Sequence, residues 1–123
     1  DAAPTPALSF ADQSLLTAYA NRFNARDFDG LRDLLGEDVR LDVVARRKPV
    51  QVRGGEYFSN YAKVHGLRMS PMNLEGRPAL WVDAQAGEGA GAPGYAVVLE
   101  SREGKVSAIR DFRYARYAME DAA

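Results

Sequence analysis

The hydrophobic positions divide the chain into a helical first part and a strand-rich second part. Between residues 12 and 25, apolar side chains recur at steps of three and four, which is the spacing of one buried helix face; they are Leu15, Leu16, Tyr19, Ala20 and Phe23. Either Ser9 or Asp12 can cap this helix. A second, short helix is predicted after Asp27, which can cap it, with Phe28, Leu31, Leu34 and Leu35 as its apolar face.

The period then changes to two, which is typical of strands. Residues 39–43 alternate between apolar and polar, and residues 50–52 are expected to pair back onto them after a basic turn at 46–49. We predict a third helix over 56–65, and strands over 68–74, 78–83, 95–102 and 104–114. Helices gathered before strands predict an α+β fold, in which three helices cover the concave side of a curved antiparallel sheet. The interior of such a cone is a place where ligands bind.

Composition and charge narrow the classes of function. The chain has 123 residues and a net charge of −1, so we expect one globular domain with no direct nucleic-acid contact. Residues 1–10 are predicted to be a linker and residues 11–123 the domain. No apolar run approaches the roughly 18 residues of a membrane span. The absence of cysteine favours a cytoplasmic location, and a single histidine argues against a His-rich metal site. We predict no cofactor.

The glycine-rich segment at residues 86–94 could suggest a phosphate-binding loop. It lacks the Gly-Lys-Ser/Thr ending that such a loop needs, and no helical pattern follows it. It is interpreted as a flexible connection between strands.

Several stretches carry a resemblance to a known family. The order of elements, with Tyr-Ala-Asn-Arg-Phe-Asn-Ala-Arg-Asp at 19–27 and Leu-Gly-Glu-Asp-Val-Arg-Leu at 35–41, resembles the SnoaL-like branch of the nuclear-transport-factor-like cone fold, a cystatin-like α+β roll. More narrowly, residues 57–62, 76–79 and 109–117 resemble the SnoaL-like domain that follows the two sigma regions in some bacterial extracytoplasmic-function sigma factors. The resemblance implies the carboxy-terminal domain of such a factor, or a freestanding relative.

The same fold houses ketosteroid isomerase and polyketide cyclases, so the resemblance also raises the possibility of catalysis. Counted without a gap, the isomerase base falls on Val43, with Asp42 on the opposite face of the strand, and the acidic oxyanion donor falls near Ala96. The tyrosine donor alone has a match, Tyr19. The acid of the cyclases matches Asp111, but the single histidine, His65, lies at the far end of the third helix. These departures argue against isomerase chemistry.

The last strand places charges where a buried strand is expected. Alternation puts Ile109, Asp111 and Arg113 on one face, and the isomerase-based count directs that face into the cone. Asp111 and Arg113 could form a direct or ligand-bridged ion pair, which either closes the cone or orients a polar group of an apolar ligand. A register shifted by one residue would bring Arg110 inside instead. The candidate pocket residues are Tyr19, Phe23, Val43, Tyr61, Trp81, Ile109, Asp111 and Arg113.

The opposite face of the sheet is predicted to be an apolar docking surface. Its candidate contact residues are Arg40, Arg110, Phe112 and Tyr114, and its partner is a second copy of the chain or the core regions of a sigma factor. The favoured function is a non-catalytic regulatory or small-molecule-sensing domain that acts on transcription. The alternatives are a small cyclase- or isomerase-type enzyme that uses Asp111 and Tyr19, and a dimerisation module with a sealed cone.

Overall fold

The computed structural model describes residues 7–45, 48–51, 54–84 and 94–114. The elements are α1 (Phe10–Asn24), α2 (Phe28–Asp33), β1 (Leu35–Ala45), β2 (Lys48–Gln51), α3 (Gly54–Ala62), β3 (Leu67–Leu74), β4 (Arg77–Ala84), β5 (Tyr95–Arg102) and β6 (Lys105–Tyr114). The predicted fold class is confirmed: three helices pack against one curved sheet. The glycine-rich segment lies outside the described residues except for Gly94, as does the tail after residue 114.

The six strands form one sheet in the order β2-β1-β6-β5-β4-β3. All neighbouring pairs are antiparallel except β1 and β6, which run parallel, and this corrects the expectation of a wholly antiparallel sheet. Alternation identifies the faces of a strand but not its direction. The chain between β1 and β6 contains α3 and four strands, which is long enough for the crossover that a parallel pair needs.

Two tight turns fix the register of the second half of the sheet. Glu75 and Gly76 connect β3 to β4 with φ values of 53° and 88°, and Glu103 and Gly104 connect β5 to β6 with 54° and 80°. Positive φ at both central residues is the requirement of a type I′ hairpin, whose twist matches that of the strands it joins. The register of β6 places Asp111 opposite Val97.

Local contacts set the helix ends. Ser9 caps α1 by accepting a hydrogen bond from the Asp12 N–H, and Asp27 caps α2 by accepting one from Gly30. The third helix ends at Ala62, three residues before the predicted end at His65. The Arg26 guanidinium donates to the carbonyls of Ala62 and Val64 at 2.6 and 3.0 Å, so it satisfies carbonyls that a longer helix would have bonded internally.

The core lies between the helices and one face of the sheet. Its buried members are Leu16, Tyr19, Ala20, Phe23, Leu31, Leu41, Tyr57, Phe58, Tyr61, Met69, Leu80, Val82, Tyr95, Val97, Leu99, Val106 and Ile109. We call this side of the sheet the inner face and the opposite side the outer face. No helix in the described ranges has both the length and the apolar character needed to cross a membrane.

Candidate functional site

A buried carboxylate, that of Asp111, lies on the inner face of β6. The residue is 1% exposed. Its Oδ2 accepts hydrogen bonds from the hydroxyls of Tyr57 at 2.7 Å and Tyr61 at 2.5 Å, and its Oδ1 accepts one from the backbone N–H of Arg113 at 2.8 Å. These three hydrogen bonds therefore stabilise the carboxylate charge against the cost of burying it away from water.

Helical spacing and strand pleating bring these groups together. Tyr57 and Tyr61 are four residues apart in α3, so they lie on the same helix face. Their rings pack edge-on, with the centroids 5.3 Å apart. The pleat of β6 directs Asp111 inward, between Val43 of β1 and Val97 of β5. The site is thus built where one helix crosses the central strands of the sheet.

A second hydroxyl extends the network from Tyr61. The Tyr61 and Tyr95 oxygens are 2.7 Å apart. A phenol has one hydrogen, and Tyr61 gives its hydrogen to Asp111. Tyr95 must therefore donate to Tyr61, which sets the direction of a chain from Tyr95 through Tyr61 to Asp111.

Tyr19 of α1 is the exception within this group of tyrosines. It is 0% exposed, and its hydroxyl has no hydrogen-bond partner among the described residues. Burial raises its pKa and the nearby Asp111 carboxylate raises it further, while a side-chain hydrogen-bonding interaction with the adjacent Tyr57 hydroxyl lowers it in part. Tyr19 is thus a protonated donor next to the Tyr57 hydroxyl, at a geometry outside that of a normal hydrogen bond.

Burial is the largest influence on the acidity of the whole site. It raises the pKa of Asp111 above its usual range, against the opposing effects of the Tyr61 and Tyr57 hydroxyls, the Arg113 N–H and the Arg113 charge. Burial and the Asp111 carboxylate both raise the pKa values of Tyr57 and Tyr61. The tyrosines are therefore hydrogen-bond donors and not bases.

Arg113 approaches Asp111 in two ways. Its backbone N–H donates to the carboxylate, and its charge acts on Asp111 through space. The guanidinium carbon lies 5.2 Å from the centre of the Tyr61 ring, a cation–π geometry. Arg113 is half-buried, whereas Asp111 and Tyr61 are buried.

Most of the predicted pocket residues lie together on the inner face. Phe23 packs edge-on against Tyr61, with the ring centroids 5.4 Å apart. Ile109 is buried two residues before Asp111, on the same face of β6. Val43, which is half-buried, lies opposite Asp111 in the β1–β6 pair, at the position predicted for an isomerase base. A valine cannot accept a proton, so this position supplies no base.

The prediction that Trp81 lines the pocket is wrong. Leu80 and Val82 of β4 belong to the inner core, so alternation turns Trp81 to the outer face, where it is 38% exposed. Its indole N–H donates to Asp83 at 3.0 Å on the same face. The large apolar side chain suggested a buried position, but the pleat determines the face.

Two residues of the network, Tyr57 and Tyr95, were not predicted. Tyr57 precedes Tyr61 by one helical turn, and Tyr95 precedes Val97 by two residues on the inner face of β5. Each spacing is visible in the sequence. Their contact with one network around Asp111 depends on how α3 lies over β5 and β6. The residue spacing does not predict that arrangement.

Three predicted interface residues lie on the outer face. Arg110 and Phe112 alternate with Asp111, and Arg40 forms an ion pair with Asp42 at 2.9 Å. The side chain of Tyr114 lies outside the described part of the structure. Among the described residues, no group of three or more histidine, cysteine, aspartate or glutamate side chains is arranged to hold a metal ion.

Comparison with solved structures identifies the type of fold. The chain is similar to a putative ketosteroid isomerase from Kribbella flavida, with 20% identity, a TM-score of 0.59, and coverage of 83% of this chain and 76% of that one. It is similar to an NTF2-like protein of unknown function from Burkholderia pseudomallei, with 16% identity, a TM-score of 0.63 and coverage of 94% and 100%. It is also similar to TerC co-crystallised with polyporic acid, with 16% identity, a TM-score of 0.62 and coverage of 92% and 99%.

These structural similarities establish the NTF2-like cone fold, and the low sequence identities establish nothing finer. No protein-family model matches the chain, and comparison with curated proteins likewise finds no match. Function must therefore be argued from the residues of the site.

Proposed function

We propose that this protein is a non-catalytic domain that binds a small apolar molecule inside its cone and thereby regulates transcription through an attached or partner sigma factor. The observation that carries the binding site is the Tyr19 hydroxyl, which is fully buried beside the Asp111 network without a partner among the described residues. A buried unsatisfied donor costs about 1–3 kcal/mol, and a ligand oxygen that accepts from Tyr19 would remove that cost.

Turnover is not supported by the same groups. A general base needs a free acceptor within reach of the proton that it removes. Asp111 Oδ2 already accepts from two phenols, and Oδ1 accepts from a backbone N–H in a residue that is 1% exposed, so the carboxylate is enclosed by its own donors. The alternative base position holds Val43. The described residues thus offer a hydrogen-bond donor with apolar neighbours, without a partner for proton transfer.

The ligand class follows from the apolar neighbours of the network and from the Tyr19 donor. The side chains around the network are aromatic or aliphatic, including Phe23, Leu41 and Ile109. An apolar molecule with one carbonyl, carboxylate or ether oxygen fits this environment. The structural neighbour TerC was co-crystallised with polyporic acid, and another neighbour is named as a putative ketosteroid isomerase, which supports small organic ligands in this fold. Arg113, half-buried over Tyr61, is the side chain that would move to admit one.

A thermal-shift titration tests this assignment. Polyporic acid and a 3-ketosteroid are suitable probes, and we expect at least one to raise the melting temperature of the wild type by several degrees. Tyr19→Phe keeps the ring and removes the hydroxyl, so it should abolish the shift. Trp81→Phe on the outer face is the matched control and should retain it. An equal shift in Tyr19→Phe and the wild type would refute the role of Tyr19.

The link to a sigma factor rests on the sequence resemblance. Two of the stretches that carry it, residues 57–62 and 109–117, also contain Tyr57, Tyr61 and Asp111, so the matching segments are those that build the site. A domain with this role would act in the cytoplasm. Sigma regions encoded in frame before Asp1, or a sigma factor recovered with the purified protein, are the expected findings. A reading frame and a co-purification that both lack a sigma factor would contradict this part of the proposal.

A further inference from the structure

Helix α1 is tied to the sheet near both of its ends. Near its start, the Asp12 carboxylate accepts a hydrogen bond from the Ser101 hydroxyl at 2.6 Å. At its last residue, the Asn24 side chain donates to the carbonyl of Met69 at 2.9 Å and accepts from the Met69 N–H at 2.8 Å. This pair of bonds satisfies both backbone groups of one residue of β3, an edge strand of the sheet. Helix α1 is therefore a fixed part of the scaffold.

Helix α3 is held in a different way. Its inner side is buried at Tyr57, Phe58 and Tyr61, and the two tyrosine hydroxyls donate to Asp111. In the described part of the chain, the hydrogen bonds that join α3 to the sheet are made by these tyrosine side chains. Its outer side, which includes residues 55, 56, 59 and 60, is exposed. Helix α3 is thus a single layer between the Asp111 network and solvent.

Arg26 connects the fixed helix to α3. It lies just after α1, and its φ of 60° is a left-handed backbone conformation that is strained for a residue with a long side chain. Its guanidinium donates to the carbonyls of Ala62 and Val64 at the end of α3. The guanidinium carbon also lies 5.5 Å from the centre of the Phe28 ring, which supports it from a second side. A strained backbone thus directs one exposed side chain onto the end of α3.

We propose that α3 is a movable cover over the Tyr19 site and that Arg26 is the latch that holds this cover closed. Displacement of α3 would break its two hydrogen bonds to Asp111 and uncover the Tyr19 hydroxyl. It would also separate Tyr61 from the Arg113 guanidinium, the side chain expected to move when a ligand enters. Arg26 acts through α3 and is a positioning residue. This role of Arg26 rests on the binding site proposed above, because it controls entry to that site.

Hydrogen exchange of the ligand-free protein tests the latch. Asparagine tolerates a positive φ, so Arg26→Asn removes the guanidinium and keeps the backbone conformation. We expect the amides of α3 to exchange about tenfold faster in this variant, because local opening no longer breaks the bonds to Ala62 and Val64. The amides of β5 should change by less than about twofold. Arg26→Lys keeps the charge on a single nitrogen and should give an intermediate rate.

Glu75→Asn is the matched control for the backbone. Glu75 is exposed and has a φ of 53° in the β3–β4 turn, so the substitution repeats the change at a similar φ away from α3. It should leave the exchange of α3 unchanged. Exchange that accelerates equally in α3 and β5 of Arg26→Asn would show that Arg26 stabilises the whole fold, and would overturn the proposal. Unchanged exchange of α3 in that variant would overturn it as well.

Ligand kinetics test the cover. Stopped-flow mixing with polyporic acid or the 3-ketosteroid measures association and dissociation separately. A ligand must pass the cover to enter and to leave, and the latch is closed in the free and the bound protein. Arg26→Asn should therefore raise both rate constants about tenfold and leave Kd within about twofold of the wild type.

The two rate constants separate a latch from a structural contact. A Kd weakened about tenfold at an unchanged association rate would show that Arg26 only shapes the closed site, and would contradict the proposal. Accelerated exchange of α3 in Arg26→Asn, without binding of either probe to the wild type, would support the latch and refute the binding site. The latch and the proposed function can therefore fail separately.

Discussion

Asp111→Asn is expected to lower the free energy of unfolding by about 2–4 kcal/mol at neutral pH. In the wild type, Oδ2 accepts from Tyr57 and Tyr61, and Oδ1 from the Arg113 N–H. An amide has one acceptor oxygen. Its NH2 group must therefore face either the two tyrosine hydroxyls or the Arg113 N–H, and those donors then lose their acceptor. Urea denaturation measures the loss. Asp38→Asn, at an exposed position of β1, is the matched control and should change the free energy by less than about 0.5 kcal/mol.

Comparison of the wild type with Asp111→Asn at several pH values also shows how the site responds to pH. Burial raises the pKa of Asp111 in the folded protein above that in the unfolded chain. Between the two pKa values the folded protein keeps a proton that the unfolded chain has released, so the free energy of unfolding falls as the pH rises. The advantage of the wild type over Asp111→Asn should therefore be largest near pH 4, roughly the unfolded pKa, and should decrease as the pH rises through the folded pKa. An advantage that grows with pH would show that the donors outweigh burial.

Tyr61→Phe is expected to cost about 2 kcal/mol and Tyr57→Phe about 1 kcal/mol. The Tyr61 hydroxyl takes part in two hydrogen bonds, one to Asp111 and one with Tyr95, whereas the Tyr57 hydroxyl donates one to Asp111 and otherwise lies beside the Tyr19 hydroxyl. Both variants keep the ring, so the core packing is preserved. Thermal and urea denaturation of the two variants measure the difference. A loss in Tyr57→Phe as large as that in Tyr61→Phe would contradict the expectation that the Tyr61 hydroxyl contributes the more stabilising set of hydrogen bonds.

Local periodicity predicts the fold class and the residues that share a face with Asp111, whereas the inward direction of that face comes from the resemblance to the isomerase fold. A strand of period two fixes which residues share a face, so Ile109 and Asp111 are placed together without knowledge of the neighbours. Helical spacing likewise identifies Tyr19 and Phe23 as buried. The parallel pairing of β1 with β6 depends on the path of the chain between them, which no local pattern records.

The misplaced and missed residues have a common physical cause. The side on which Trp81 lies, and the contact of Tyr57 and Tyr95 with the Asp111 network, depend on register and on the crossing of α3 over the sheet. These are relations between elements distant in sequence. The burial of Asp42, which is 5% exposed, has the same cause, because it depends on outer-face neighbours from other strands.

Unfolding of Tyr19→Phe in urea, without any ligand, is the most direct test of the proposed binding site. If the buried Tyr19 hydroxyl has no partner, its removal leaves no acceptor unsatisfied. The variant should then be as stable as the wild type, or more stable by up to about 1 kcal/mol, while Tyr57→Phe is destabilised. A loss of more than about 1 kcal/mol in Tyr19→Phe would show that the hydroxyl is already bonded within the protein, and would remove the basis for ligand binding there.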